Sequence, residues 1–231
     1  MNKLYTFGCS VTENLDNLPE WSPRIKYANE YCGGRYKSWP EILGEKLKME
    51  TQNYAALSAG DKLPFLLGNT NEDILEALSI ASLGFKKDDI VIVQFTTLGR
   101  FRLAKQNNMF DTILPGHISD YKNQSSLIDA LENKSNPMFI RPLINSMNPF
   151  IRLSEEIGFQ FWMWSNDDSI QDYMIPTNNQ RWLFYENINE LLPKINAQPI
   201  AVVTDKKIED YHLAQPGQEI LANLIYNRIN E

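Results

Sequence analysis

Six consecutive residues, Ile90-Val91-Ile92-Val93-Gln94-Phe95, leave this chain few architectures to choose from. Their β-branched side chains restrict χ1 and favour extended backbone. The run is continuous rather than alternating, so a strand made from it is apolar on both faces and has to be covered on both. Strands of that kind belong to parallel sheets flanked by helices. The polar turn Lys86-Lys87-Asp88-Asp89 marks its start. Near the amino terminus Leu4-Tyr5-Thr6-Phe7 reads as a short apolar strand. Ser38-Trp39-Pro40-Glu41 then starts a helix, with a serine cap, a proline in the first turn and a glutamate three residues after the cap. That helix runs to about Met49 with Trp39, Ile42, Leu43 and Leu47 on one face, and Thr51 to Ala56 reads as the next strand. A β-α-β unit of this kind implies a right-handed crossover and a parallel α/β sheet.

Further along, the spacing predicts a helix from about Asn71 to Leu83, carrying Ile74, Leu75, Leu78 and Ala81. It predicts helical structure over 140–156, interrupted at Pro149, and a buried strand over Phe159–Trp164. A helix over Arg181–Ile195, a short strand at Ile200-Ala201-Val202-Val203 and a terminal amphipathic helix with Ile220, Leu221, Leu224, Ile225 and Ile229 complete the pattern. Residues 14–37 carry no helical or alternating period and read as a long loop. Its Trp21, Tyr27, Tyr31 and Tyr36 either wall a pocket or cover the core edge. Residues 102–136 are polar and irregular, with a short helix expected from Ser125 to Glu132. One domain over residues 1–231, with loop insertions at about 14–37 and 102–136, is the expected organisation.

The composition narrows the function classes. A formal charge of −7 and a pI near 5.0 repel phosphate backbones, which argues against nucleic-acid binding. No apolar run approaches the ~20 residues that span a bilayer, and the first strand is too short for a signal peptide. A soluble, cytoplasmic protein without membrane partners is therefore expected. Cys9 and Cys32 form no C-x-x-C pair, and His117 and His212 form no metal-ligand cluster, so neither a metal nor another cofactor is expected.

The chemistry concentrates at two places. Phe7-Gly8-Cys9-Ser10-Val11-Thr12 ends the first strand in a glycine turn that presents a serine at the carboxyl edge of the sheet, where open α/β folds bind ligands. A helix following Ser10 would aim its first N–H groups at an oxyanion there. Equally, Ser10 and Glu13 have the spacing of a capping box, and Cys9 is an alternative nucleophile. Near the other end, Asp210-x-His212 places both side chains on one side of an extended segment. Asp210 could then accept the Nδ1 proton of His212 and leave Nε2 as a general base toward Ser10. The plainer alternative is an acidic turn, Glu209-Asp210, with a packed histidine. His117, in the turn Pro115-Gly116-His117, reads as a surface residue. Arg100, after the third strand, could grip a carboxylate or phosphate or form an ion pair at a loop rim.

Taken together, these segments resemble the SGNH (GDSL-like) hydrolase family over essentially the whole chain. Phe7-Gly8-Cys9-Ser10-Val11-Thr12 looks like the family's first block, and Asp210-Tyr211-His212-Leu213 with Pro216-Gly217 looks like its last. The wording Phe-Gly-Cys-Ser, then Trp-Pro-Glu-Ile-Leu-Gly, then Thr-x-x-x-Arg after the third strand, is similar to uncharacterised members encoded by bacteriophages. The resemblance implies a three-layer α/β/α sandwich with a mainly parallel central sheet of flavodoxin-like type. It implies Ser10 as nucleophile, His212 as base and Asp210 as its orienting partner. It also implies an oxyanion hole from the serine N–H, a second-block glycine (Gly68 or Gly60, with Gly68 preferred because it opens a helix) and a third-block asparagine. That asparagine is missing: Thr96-Thr97-Leu98-Gly99 stands where Gly-x-Asn-Asp would be. Losing one donor costs about 2.7–4 kcal/mol of transition-state stabilisation, so Asn71, Thr97 or Arg100 would have to substitute, Asn71 best. The implied activity is a serine esterase acting on a small ester or an acylated carbohydrate such as an O-acetyl sugar, in a host cytoplasm or a virion. The missing asparagine and the many aromatics suggest a second function: a weakly active or inactive carbohydrate-binding or virion-associated structural protein.

Overall fold

A computed structural model describes residues 2–16, 18–55, 70–98, 101–104, 110–113, 137–165, 167–177, 179–184 and 199–231. Strand β1 (Lys3–Gly8) is followed by helices α1 (Pro23–Tyr31) and α2 (Trp39–Leu47), then β2 (Glu50–Ala55). Helix α3 (Asn71–Ala81) and a 3-10 turn (Ser82–Gly84) lead to β3 (Ile90–Phe95), and the strands β4 (Phe101–Ala104) and β5 (Phe110–Ile113) pair antiparallel outside the main sheet. Helices α4 (Pro137–Asn145) and α5 (Asn148–Ile157) precede β6 (Gln160–Ser165). After it come α6 (Asp168–Met174), a 3-10 turn (Ile175–Thr177), α7 (Ile200–Val203) and the long α8 (Gln215–Ile229).

The main sheet has four strands in the order β2-β1-β3-β6, all parallel. Side chains alternate across it, as extended backbone requires. Tyr5, Phe7, Val91, Val93, Phe95, Phe161 and Met163 pack on one face against Ile74 and Leu78 of α3, with α5 beside them. Leu4, Ile90, Ile92 and Trp164 pack on the other face against Trp39 and Leu43 of α2 and Leu221 and Ile225 of α8. All six β3 residues are buried, as a strand covered on both faces must be. The result is the expected α/β fold, with helices on both faces of a parallel sheet. Gly44 lets α2 lie close to β2, since a Cβ there would come within 2.0 Å of Thr51 Oγ1.

β1 is the point where the winding reverses, with β2 on one side and β3 on the other. In such sheets the crevice beyond the carboxyl end of the reversal strand is the natural ligand site, and Ser10 lies two residues beyond β1.

Several expectations need correction. No helix begins at Ser10; residues 10–12 form a turn, and the Glu13 carboxylate pairs with Arg24 rather than capping a helix. The segment 14–37 is not all loop, because Ser22-Pro23 starts α1, whose inward positions Arg24, Tyr27 and Ala28 follow helical spacing. Residues 101–104 and 110–113, read as irregular, form a strand pair. The stretch Ile200–Val203 is a short helix instead of a strand. Pro199 opens it, and Val203 N–H and Thr204 N–H close helical bonds to the Pro199 and Ile200 carbonyls at 3.2 and 3.1 Å. Residues 181–184 are not helical: Trp182 bridges to Met163 and Leu183 N–H donates to the Met163 carbonyl at 2.8 Å, extending along β6. The short helix expected at Ser125–Glu132 lies outside the described residues, as does the remainder of the one expected over Arg181–Ile195.

Candidate active site

The serine turn is built by a close approach between strands. Gly8 ends β1 against the side chain of Gln94 in β3, where a Cβ would meet Gln94 Oε1 at 2.6 Å and Thr12 Oγ1 at 2.7 Å. The Thr12 hydroxyl donates to that same Gln94 oxygen, and Thr12 N–H donates to the Cys9 carbonyl at 2.9 Å, closing a four-residue turn over Ser10 and Val11. From β2, Asn53 Nδ2 donates to the Thr12 carbonyl at 2.6 Å and to Asn14 Oδ1 at 2.7 Å. Ser38, ahead of α2, donates to the same Asn14 oxygen at 2.8 Å. Gln94, Thr12, Asn53 and Ser38 are all buried, so these bonds form in a low-dielectric setting that strengthens them.

The turn separates Cys9 from Ser10. Cys9 is 1% exposed, with its Sγ 3.8 Å from Gln94 Oε1 inside the fold, whereas Ser10 is half-buried. Opposite it, His212 Nε2 lies 2.8 Å from Ser10 Oγ. The two ends of the chain therefore meet at the serine, and His212 faces Ser10 rather than Cys9.

Asp210 fixes the histidine. Its Oδ1 lies 2.6 Å from His212 Nδ1 and also accepts the His212 backbone N–H at 2.7 Å, an Asx turn that locks the two residues together. Burial by itself would raise the Asp210 carboxyl, but the hydrogen bonds and charge of His212, with the charge of Arg24, more than offset this and hold it below the ordinary carboxylate range. An ionised Asp210 can only accept, so it holds a proton on Nδ1; in the neutral imidazole that tautomer leaves Nε2 to accept the Ser10 hydroxyl proton.

The strap carrying the histidine is clamped from two sides. Ala201 and Ile200 at the start of α7 donate their N–H groups to the Asp210 and His212 carbonyls at 2.7 and 3.0 Å. The Tyr36 hydroxyl donates to the Leu213 carbonyl at 3.0 Å and accepts from Gln218 Nε2 at 2.9 Å, and Gln218 Oε1 in turn accepts the Trp39 N–H at 2.8 Å. Burial pushes the Tyr36 phenol well above its ordinary range, so it remains a donor at any working pH. Burial, helped by a hydrogen bond with Cys32, also pushes the Tyr27 phenol up to about 12.

The aromatic residues of segment 14–37 divide. Tyr27 and Tyr36 pack under the strap with Ile200, Ile208 and Ala214, Trp21 is 82% exposed, and Tyr31 stacks on Tyr27 at 5.7 Å. Tyr27 and Tyr31 also line an open groove of about 720 Å³ with Arg35, Lys37, Gln215 and Glu219, but Ser10, Asp210 and His212 do not line it.

The oxyanion candidates fare unevenly. The Asn71 carboxamide is engaged with β3: Nδ2 donates to the Thr96 carbonyl at 3.0 Å and Oδ1 accepts the Thr96 N–H at 2.9 Å. Its first duty is to tie the start of α3 to the end of the central strand. Thr97 is half-buried at the sheet's carboxyl edge, and Leu98 N–H donates to Asp167 Oδ2 at 3.1 Å. Gly60, Gly68 and Arg100, like His117, lie outside the described residues. Ser10 N–H and Val11 N–H have no acceptor among the described residues. No group of three or more metal-ligating side chains occurs among the described residues.

Sequence reading missed the supports of this site. Arg24 donates from Nη1 to the Ser10 carbonyl at 2.9 Å and pairs through Nη2 with Glu13. Gln94 and Asn53 were available as signals, each a polar residue inside a strand. Ser22-Pro23 was a helix start with Arg24 on the inward stripe.

No family model, curated protein or solved structure matches the chain.

Proposed function

We propose that the protein is a serine esterase of the SGNH (GDSL-like) kind, with Ser10 as nucleophile, His212 as general base and acid, and Asp210 holding the imidazole. The observation that carries this reading is the chain of contacts Asp210–His212–Ser10, at 2.6 and 2.8 Å, assembled at the point where the sheet reverses its winding. Ser10 Oγ attacks an ester carbonyl carbon while Nε2 takes its proton. The tetrahedral intermediate collapses as the imidazolium returns that proton to the departing alcohol, leaving an acyl-serine. Water, deprotonated by Nε2, then releases the acid and restores Ser10. Asp210 stays ionised throughout and stabilises the imidazolium.

The Ser10 N–H, free of an acceptor among the described residues, supports a role as one oxyanion donor. Gly68 or Gly60 is proposed as another, with Thr97, Asn71 and Arg100 the candidates for the third. A small ester or an acylated carbohydrate is the proposed substrate, and a bacteriophage setting, in host cytoplasm or virion, is part of the same proposal. No helix among the described residues is long and apolar enough to cross a membrane.

The test is turnover of an aryl acetate by the purified protein and its Ser10→Ala variant. Hydrolysis by the parent and its loss in the variant is the expected result. Equal rates in both, or none in a folded parent, would contradict the assignment.

A further inference from the structure

The buried cation beneath the serine has no place in the triad itself. Arg24 and Glu13 side chains are only 7% and 2% exposed, and the pair does not simply close on itself. The guanidinium spends Nη2 on Glu13 and Nη1 on the Ser10 carbonyl, 2.9 Å away. That carbonyl belongs to the Ser10–Val11 peptide, the central peptide of the turn closed by Thr12 N–H on the Cys9 carbonyl. Rotation of this peptide plane is the soft motion of a four-residue turn, and it changes Ser10 ψ directly. The flipped form would place Val11 at positive φ, which a β-branched residue resists, and Val11 is not among the residues with left-handed backbone. Arg24 holds the same plane from the carbonyl side. Because a trans peptide sets N–H opposite C=O, it also turns the Val11 N–H, which has no acceptor among the described residues, away from the guanidinium.

We infer that Arg24 is a positioning residue for the nucleophile: by gripping the Ser10 carbonyl while anchored on Glu13, it fixes the Ser10–Val11 peptide and so holds the Ser10 hydroxyl on His212. The inference rests on the triad reading above. A guanidinium serves here and an ammonium does not, because only a planar fork presents two donors in fixed and divergent directions. Arg24 also contributes to keeping Asp210 ionised, so one buried cation supports both ends of the contact chain.

Two variants separate this role from stability. Arg24→Lys keeps a positive charge for Glu13 but loses the fork. The double variant Glu13→Gln/Arg24→Met removes both charges together and avoids stranding a buried carboxylate. Each is compared with the parent by thermal melt and by the kinetics of labelling with a fluorophosphonate. Both variants are expected to melt cooperatively. Their limiting labelling rate should fall about 10–100-fold, the scale of a small misplacement of reacting groups, with the half-saturating probe concentration unchanged. Labelling of either folded variant at the parent's rate would overturn the role of Arg24 and leave the triad reading standing. Loss of fold in both would assign Arg24 to stability alone and overturn it too. A folded parent that takes no label would overturn the triad reading, and this inference with it.

Discussion

His212 and Ser10, 202 positions apart in the chain, meet with Nε2 2.8 Å from Oγ. The contact is made by the topology: β1 delivers Ser10 to the carboxyl edge of the sheet, and the strap before α8 delivers His212 to the same edge. Both partners are held by backbone contacts, Ser10 through the turn closed by Thr12 and His212 through the N–H groups of α7. Preorganisation of this kind lets a serine act as a nucleophile without reorganising at each turnover.

Asp210→Asn should leave the fold intact and lower kcat by about 10⁴-fold, because an amide facing Nδ1 favours the wrong imidazole tautomer. Steady-state hydrolysis of an aryl acetate checks it. A loss of less than about tenfold would mean that Asp210 does not orient His212.

The lowered Asp210 carboxyl also has a signature in stability. A carboxyl whose folded pKa lies below its unfolded value of about 3.9 stabilises the fold fully above that value and loses its contribution as pH falls through the folded pKa. The difference in melting temperature between parent and Asp210→Asn should therefore change against the parent as pH falls below about 4. A difference that moves in the parent's favour on acidification would show the opposite sign of shift.

Gly8→Ala tests the turn's construction. The new methyl would have to displace Gln94 Oε1, Thr12 Oγ1 and Gln94 Cβ, at 2.6, 2.7 and 3.0 Å. The strands carrying it cannot separate without breaking the β1–β3 ladder. A loss of about 1–3 kcal/mol in denaturant unfolding is expected, with slower labelling of Ser10.

Tyr36→Phe removes a hydroxyl that donates to Leu213 and accepts from Gln218. The buried Gln218 amide and the part-buried Leu213 carbonyl lose a partner, which costs about 1–3 kcal/mol in a denaturant melt. Because the Leu213 carbonyl adjoins His212, the variant should also lower kcat more than it raises KM. An unchanged kcat would confine Tyr36 to stability.

Much of this arrangement was legible in the sequence where one signal dominated. The β-branched run at Ile90–Phe95, the capping residues at Ser38 and the apolar spacing in α8 each specify their element without tertiary help. The contacts among Ser10, Asp210 and His212 were legible because a serine that is to act as a nucleophile would need those residue types in that relation. What stayed hidden depends on partners remote in sequence. Helix α1 places Arg24 on its inward stripe beside Tyr27 and Ala28, so its apolar period is broken by the residue that reaches the serine. Ile200–Val203 has strand-like composition, but Pro199 and the strap carbonyls it must satisfy make it a helical turn. The Asn71 carboxamide, expected to serve an oxyanion, is engaged with the backbone of Thr96, a pairing that no local pattern encodes.

The most direct measurement is the mass and position of a fluorophosphonate adduct on the intact protein at neutral pH. The triad predicts one adduct, on Ser10, absent from Ser10→Ala and strongly reduced in His212→Ala. A folded protein that takes no adduct, or takes it on Cys9 or another residue with Ser10 unmodified, would contradict the account.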